Sequence, residues 1–127
     1  MNIGEAAAAS GVSAKMIRHY ETLGLVRPER RMNNYRAYSE QDVAVLRFIR
    51  HARELAFPLA EVKRLLALWQ DSGRKSAEVQ RIALSHVEAL EEKARSLQAV
   101  AASLRHLARA CQGNARPECP IIEHLES

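Results

Sequence analysis

One uninterrupted stretch, from Ser76 to Cys111, constrains the fold more than any other part of the chain. It contains no Gly or Pro and is rich in Ala, Leu, Glu, Lys, Arg and Gln, which are good helix formers. Its apolar residues recur at alternating steps of four and three, the heptad pattern of a coiled coil. They are Ala83, Val87, Leu90, Ala94, Leu97, Ala101, Leu104, Ala108 and Cys111. The stretch therefore predicts a single amphipathic helix about 50 Å long.

A helix of that length needs a partner. The chain has 127 residues and holds no second stretch long enough to cover it. The heptad seam therefore predicts a homodimer in which two copies of the helix pair around a two-fold axis. The seam alone does not give the orientation of the pair, and a long helix packed on its own domain remains the alternative.

The only two cysteines of the sequence, Cys111 and Cys119, bracket a loop of seven residues after this helix. Gly113 suits the end of a helix, and Pro117 and Pro120 prevent its continuation. No apolar run approaches the ~18 residues of a membrane span, and the N-terminus lacks the pattern of a signal peptide. We therefore expect a cytoplasmic protein, where two cysteines more often bind metal or act in redox chemistry than form a structural disulfide.

The net charge of +4 is concentrated in the first half of the chain. Residues 1–70 hold 11 Lys and Arg against 7 Asp and Glu, whereas residues 71–127 hold 8 of each class. This imbalance suggests a polyanionic partner for the first half only. A solvated basic face would give the same count.

The first 24 residues predict a helix-turn-helix. A short alanine-rich helix from Ile3 to Ala9 is followed by a turn at Gly11, and Ser13 caps a second helix that runs to about Leu23. On the second helix we expect Ile17, Tyr20 and Met16 to face inward. Lys15 and Arg18 then lie outside, in the turns of a recognition helix that meet base edges and phosphates. An ordinary surface helix with two cations is the alternative.

A hairpin is predicted next. Leu25–Val26 begins a strand that Arg27–Pro28 closes, residues 29–34 form the turn, and Tyr35–Tyr38 is the second strand. Such a hairpin beside a recognition helix is a wing, and its cations and phenols suit phosphate contacts. The candidate contacts on it are Arg30, Arg31, Tyr35 and Arg36, and bare solvation of the arginines is the alternative.

Two further helices complete the first part of the chain. Ser39 caps the third, which ends near Ala56 and carries Arg53 as a candidate contact to the DNA backbone. The fourth runs from Leu59 to Gln70. The residues expected to be buried are Val43, Leu46, Phe48 and Ile49 in the third helix and Val62, Leu65, Leu66 and Trp69 in the fourth. We divide the chain into a DNA-binding domain (1–70), a linker and dimerisation helix (71–110) and a loop with a short final helix (111–127).

With these motifs assembled, the chain resembles the MerR family of transcriptional regulators over nearly its whole length. The resemblance rests on Met1–Glu5, Ile17–Glu21 followed by Gly24–Leu25, Asn33–Tyr38, Phe57–Leu59 and Cys111–Leu125. Within the family it is most similar to the copper-responsive CueR/HmrR-type branch. Two positions depart from the pattern: Asn34 replaces the usual glycine of the wing, and His19 stands where Phe or Tyr is usual. Either change could alter the choice of operator or the geometry of the wing.

The resemblance implies a mainly α fold: a winged helix-turn-helix domain, a long antiparallel coiled-coil dimerisation helix and a short C-terminal metal-binding loop. It also implies that the metal loop lies near the partner's Ser76, where branches that sense divalent ions have a cysteine. The implied function is activation at a promoter with an overlong spacer, which the metal-bound homodimer distorts so that RNA polymerase can use it. The candidate DNA contacts are then Lys15, Arg18, His19, Tyr20, Arg30, Arg31, Tyr35, Arg36 and Arg53.

The chemistry of the two cysteines favours a monovalent ion. Two thiolates are soft ligands that suit Cu(I), and equally Ag(I) or Au(I), whereas Zn(II) usually takes four ligands. His106, His124 and Glu123 are further candidate ligands, disfavoured because they are harder donors. The implied target genes export or detoxify copper.

Three rival functions remain: a divalent-ion sensor of the same family, a redox switch in which the two cysteines form a disulfide, and a sensor of organic ligands. The last of these usually carries a larger C-terminal domain. We do not expect an enzyme, because the sequence has neither a Gly-rich phosphate loop nor a paired-carboxylate motif.

Overall fold

The computed structural model of the protein describes residues 1–30 and 36–127. As predicted, this part of the chain is mainly helical, with a small two-stranded wing and one long helix. Its elements are α1 (Ile3–Ser10), α2 (Ala14–Thr22), β1 (Glu29–Arg30), β2 (Arg36–Ala37), α3 (Glu40–Glu54), α4 (Leu59–Trp69), α5 (Ser76–Ala110) and α6 (Pro120–Glu126). They form two compact units, residues 1–82 and 83–127.

The helix-turn-helix forms where the sequence predicts it. Asn2 and Glu5 make a capping box at the start of α1, and the Ser13 side chain accepts a hydrogen bond from the Met16 N–H at 3.2 Å. Gly11 ends α1 with φ at +76°, and a Cβ there would come within 2.7 Å of an Arg50 side-chain nitrogen. The left-handed backbone therefore favours glycine in this turn, since an added Cβ would also require the flexible end of the Arg50 side chain to shift.

The first strand of the wing was predicted at the wrong place. Leu25 and Val26 are not in a strand; the Leu25 N–H donates to Tyr20 O at 2.9 Å to close α2, and Val26 is 2% exposed in the core. The strand is instead Glu29–Arg30, antiparallel to Arg36–Ala37. The apolar side chains of Leu25 and Val26 pack in or against the core and do not belong to a strand. The predicted turn at Asn33–Asn34 lies outside the described residues.

Helix α3 begins with the predicted cap, since Ser39 and Asp42 exchange hydrogen bonds of 2.9 and 3.0 Å. It ends at Glu54, and α4 ends at Trp69, each within two residues of the prediction. Trp69 is 37% exposed and stacks on Phe48 with ring centroids 4.8 Å apart, so it packs at the edge of the core. The core of this unit comprises Ala6, Val12, Ile17, Tyr20, Val26, Tyr38, Val43, Val45, Leu46, Ile49, Ala52, Phe57, Val62, Leu66 and Ile82.

The α3–α4 connection contains a strained residue. Ala56 has φ at +64°, a conformation that costs an L-residue about 1–2 kcal/mol. We expect Ala56→Gly to raise the free energy of unfolding by about 1 kcal/mol, because the relief of strain exceeds the entropy cost of glycine. Urea denaturation measures the change. Gly24→Ala is the matched control: Gly24 has φ at +75° and room for a Cβ, so it should lose stability.

In the second unit, the α5 segment exposes its heptad seam. Leu97 is 69% exposed, and Val87, Leu90 and Leu104 are exposed as well. The C-terminal part of α5 and helix α6 together line an apolar cleft of about 380 Å³. Among the described residues, no helix combines the length and hydrophobicity needed to cross a membrane.

Candidate DNA-binding surface and metal site

Helix α2 presents its predicted polar face. Lys15, Arg18 and His19 are exposed, while Ile17 and Tyr20 are buried. The prediction that Met16 faces inward is wrong: it is 37% exposed, because it lies at the edge of the apolar stripe one turn before Tyr20. Tyr20 is 5% exposed, so its ring packs in the core and its burial does not support the predicted DNA contact.

Glu21, near the end of α2, is the centre of a polar network. Its side chain is 15% exposed. Arg36 Nε donates a hydrogen bond to Oε1 at 2.9 Å and lies 2.7 Å from Oε2 in an ion pair. Arg30 approaches Oε1 at 3.4 Å, and the Tyr38 hydroxyl lies 3.5 Å from Oε2. Helix α2 and both wing strands therefore meet at one carboxylate.

The network changes the proton affinity of its members. The hydrogen bond from Arg36 to Glu21, and then the Glu21 charge, raise the pKa of Arg36. Burial and then the Glu21 charge raise the pKa of Tyr38. One signal in the sequence could have identified this carboxylate: Glu21 is the only acidic residue between positions 14 and 28, opposite a wing rich in arginine.

The remaining predicted DNA contacts are placed unevenly. Arg30 and Arg36 lie on the wing, each with Glu21 as a partner, whereas Arg31 and Tyr35 lie outside the described residues. Arg53 is exposed but donates from Nη1 to Phe57 O at 2.6 Å, which ties it to the α3–α4 connection. It lines a cleft of about 320 Å³ together with Arg50 and the Gly11 turn.

The two cysteine side chains face each other across the C-terminal loop. The sulfur atoms of Cys111 and Cys119 lie 3.1 Å apart, and both residues are half-buried. This separation is well beyond the ~2.05 Å of a disulfide. The structure thus brings together the pair that the sequence singled out.

Local backbone features fold the loop back on itself. The N–H of Cys111 still bonds to Leu107 O at 3.1 Å, so the first thiol sits on the last turn of α5. Gly113 then takes φ of +62°, and Asn114 Oδ1 accepts from the Arg116 N–H at 2.9 Å. Cys119 is the residue that caps α6.

The pKa of the Cys119 thiol is lowered. The main cause is the hydrogen bond with Cys111, followed by the backbone N–H groups of Ile122 and Ile121; burial and the charge of Glu123 oppose it. A lowered pKa favours the thiolate, which is the form that binds metal and attacks disulfides.

The harder candidate ligands are not gathered around the sulfurs. His106, Glu123 and His124 are all exposed, and His124 lines the apolar cleft. Within residues 1–30 and 36–127, no group of three or more His, Cys, Asp or Glu side chains is arranged to hold a metal ion. Cys119 borders a polar cleft of about 330 Å³ that Arg116, Glu118 and Glu123 also line.

Comparison with known proteins gives a consistent result. A family described as "MerR HTH family regulatory protein" matches residues 1–69, and one described as "MerR, DNA binding" matches residues 43–107. The regulator HmrR of Sinorhizobium medicae is 51% identical over 98% of this chain and 86% of its own length. CueR of Escherichia coli O157:H7 is 41% identical over 98% of this chain and 93% of its own. The crystal structure of PbrR691 from Ralstonia metallidurans with lead(II) superposes with a TM-score of 0.84 at 31% identity, covering 98% of both chains.

Proposed function

Because the chain belongs to the MerR family of helix-turn-helix regulators, we propose that it is a dimeric transcriptional activator switched by Cu(I), held between Cys111 and Cys119. The protein is a metal-responsive transcription regulator and not an enzyme. One observation carries the choice of site: two thiol sulfurs of a single short loop lie 3.1 Å apart.

The donor set fits a soft monovalent ion. Two thiolates bind Cu(I), Ag(I) or Au(I) in preference to harder cations. Cys111 and Cys119 would supply both sulfur ligands, and the loop between them, which turns at Gly113, would have to open from the sulfur separation of 3.1 Å to admit an ion.

Charge and ligand number favour a monovalent ion over a divalent one. Two thiolates and one +1 ion leave a single negative charge, beside a cleft that Arg116 lines together with Glu118 and Glu123. A divalent ion usually requires more ligands, and the chain contains no third cysteine. Ser76, where the family's divalent sensors have a cysteine, begins α5 with a hydroxyl instead. Because the similar structure of PbrR691 contains lead(II), sensing of a divalent ion is the alternative function that an experiment must exclude.

The exposed seam supports a homodimer through α5, and the antiparallel orientation is what the family resemblance implies. Apolar side chains that remain exposed along several turns of a helix require a covering surface, and an identical helix supplies one. The dimer would place two copies of the helix-turn-helix and wing on two half-sites of a promoter. We propose that metal binding shifts the equilibrium between two dimer states, so that the bound DNA is distorted and RNA polymerase can use the promoter.

Metal competition tests the proposal. Cu(I), Zn(II) and Pb(II) are titrated separately into the reduced protein against chelators of known affinity, and transcription from the neighbouring promoter is measured in parallel. We expect one Cu(I) per chain, tighter binding of Cu(I) than of either divalent ion, and activation by Cu(I) alone. Activation by Zn(II) or Pb(II) at lower free concentration than Cu(I) would overturn the assignment.

A thiol redox switch is the second candidate, and the 3.1 Å sulfur contact favours it as well. In that reaction two thiols lose two protons and two electrons to a peroxide, which is reduced to water while the disulfide forms. Anaerobic transcription with Cu(I) separates the candidates, because a metal sensor responds there and a redox switch does not.

DNA contact by α2 can be tested independently of the metal. We expect Arg18→Ala to weaken DNA binding and to reduce the slope of log affinity against log salt by about two, because the dimer loses one phosphate-neutralising cation from each of its two chains. Affinity for Cu(I) should not change. Arg95→Ala, which removes an equal charge from the exposed surface of α5, is the control and should leave the salt slope unaltered.

A further inference from the structure

Glu21 occupies an electrostatically unfavourable place. It lies one residue before the C-terminal end of α2, where the helix dipole disfavours a negative charge. It also adds that charge to the surface expected to face DNA phosphates. Both effects are unfavourable, and the contacts of Glu21 provide a favourable interaction that offsets them.

The carboxylate neutralises a repulsive pair in the wing. Arg30 and Arg36 are directly opposed partners in the β1–β2 register, and like charges in such positions destabilise a hairpin. Glu21 contacts both guanidinium groups, at 3.4 Å and 2.7 Å. The ion pair is charge-assisted and partly shielded from solvent, which makes it stronger than a fully exposed one.

The wing is tied to the rest of its unit at the end of β2, where the Tyr38 backbone exchanges hydrogen bonds of 2.7 and 2.8 Å with Met1. Its described strands are two residues long each, and an isolated hairpin of that size is marginal in water. Tyr38, buried immediately after β2, anchors one end of it, and the Tyr38 hydroxyl also faces Glu21. Glu21 connects both strands directly to α2, and we expect the angle between the wing and α2 to depend on it.

We propose that Glu21 is a positioning residue for DNA recognition. It holds Arg30 and Arg36 of the wing in a fixed orientation relative to the exposed face of α2. Its charge weakens attraction to DNA of any sequence, and its geometry strengthens binding to the correct operator. The inference rests on DNA binding by the first unit and is independent of which metal the second unit binds.

Two isosteric charge removals separate geometry from charge. Glu21→Gln and Glu29→Gln each remove one negative charge from the region of the wing. Glu29, however, is exposed in β1 and forms no part of the network around Glu21 described above. Affinity is measured for an operator selected with the wild-type protein and for an unrelated duplex, over a range of salt concentrations. Both variants should bind the unrelated duplex as well as wild type or more tightly.

The operator discriminates between the two variants. We expect Glu21→Gln to lose roughly tenfold in operator affinity, the scale of one good contact, while Glu29→Gln retains it or gains. In an Arg36→Gln background, Glu21→Gln should add little further loss, because the two residues act together. Operator binding by Glu21→Gln equal to or tighter than wild type would overturn the proposal.

A purely structural role predicts a different pattern. It would lower the unfolding temperature of Glu21→Gln and leave the operator-to-unrelated affinity ratio unchanged at temperatures where the protein is folded; this result also overturns the proposal. If Glu21→Gln is unfolded at assay temperature, Glu21→Asp replaces it in the test. That variant keeps the charge and shortens the reach, so the ratio should fall with no gain on the unrelated duplex; an unchanged ratio contradicts the proposal.

Discussion

We expect Cys111→Ser and Cys119→Ser each to abolish the transcriptional response to Cu(I) and to leave the affinity of the metal-free protein for its operator within about twofold of wild type. Each substitution leaves one sulfur where two now lie 3.1 Å apart, and a hydroxyl is a hard donor that does not replace a thiolate for a soft ion. We expect Cu(I) affinity to fall by more than about 100-fold, since the loss of a mere supporting contact to a ligand already costs about 10–100-fold. Chelator competition measures it.

The separation of the two effects is the informative part of this experiment. The cysteines belong to the unit of residues 83–127, whereas α2 and the wing belong to residues 1–82. Gln112→Ala is a suitable control, because it changes the same loop without removing a sulfur and should keep the metal response. Loss of operator binding in both serine variants would show that the loop supports DNA binding directly and is not a separate sensor.

The helices and their ends could be predicted from the sequence because local chemistry determines them. Asn2, Ser13 and Ser39 are side chains that satisfy the first N–H groups of a helix, and Gly11 and Gly24 allow the left-handed turns that follow one. The spacing of apolar residues likewise gave the seam of α5. These signals act over a few residues and do not depend on tertiary contacts.

The wing and its anchor could not be predicted, because contacts between distant residues decide them. Leu25 and Val26 have the composition of a strand, yet Val26 fills the core and the pairing starts three residues later. Glu21 reads as an ordinary exposed residue of α2 until Arg30, Arg36 and Tyr38 are brought around it. The spacing of apolar residues along a helix does not reveal a contact with residues distant in the sequence.

The metal loop lies between these two cases. The spacing of Cys111 and Cys119, with Gly113 and two prolines between or beside them, predicted a loop whose two thiols bind one metal ion. The facing of the two sulfurs depends on hydrogen bonds within the loop, such as that from the Arg116 N–H to Asn114 Oδ1. Residue types and spacing thus indicated the chemistry, whereas the distance required the structure.

Leu97→Glu should convert the protein to a monomer. Leu97 is the midpoint of the seam between Ala83 and Cys111, so it lies near its own copy in a centred pair of either orientation. The side chain is 69% exposed in the single chain, and its replacement therefore removes little from the chain's own core. The dimer loses the burial of two leucines, about 1.5–3 kcal/mol each, and gains two opposed carboxylates with a further desolvation cost.

Sedimentation measures the loss of the dimer, and DNA binding reports its consequence. A reduction of at least about 4 kcal/mol weakens dimerisation roughly 10³-fold. Operator affinity should fall by roughly 10²–10⁴-fold, because each chain then binds one half-site without the effective concentration that the dimer provides. Ala102→Glu, on an exposed position of α5 away from the seam, introduces the same charge and should sediment as a dimer. A dimeric Leu97→Glu protein would mean that this seam is not the interface, and the exposed leucines would then need another partner.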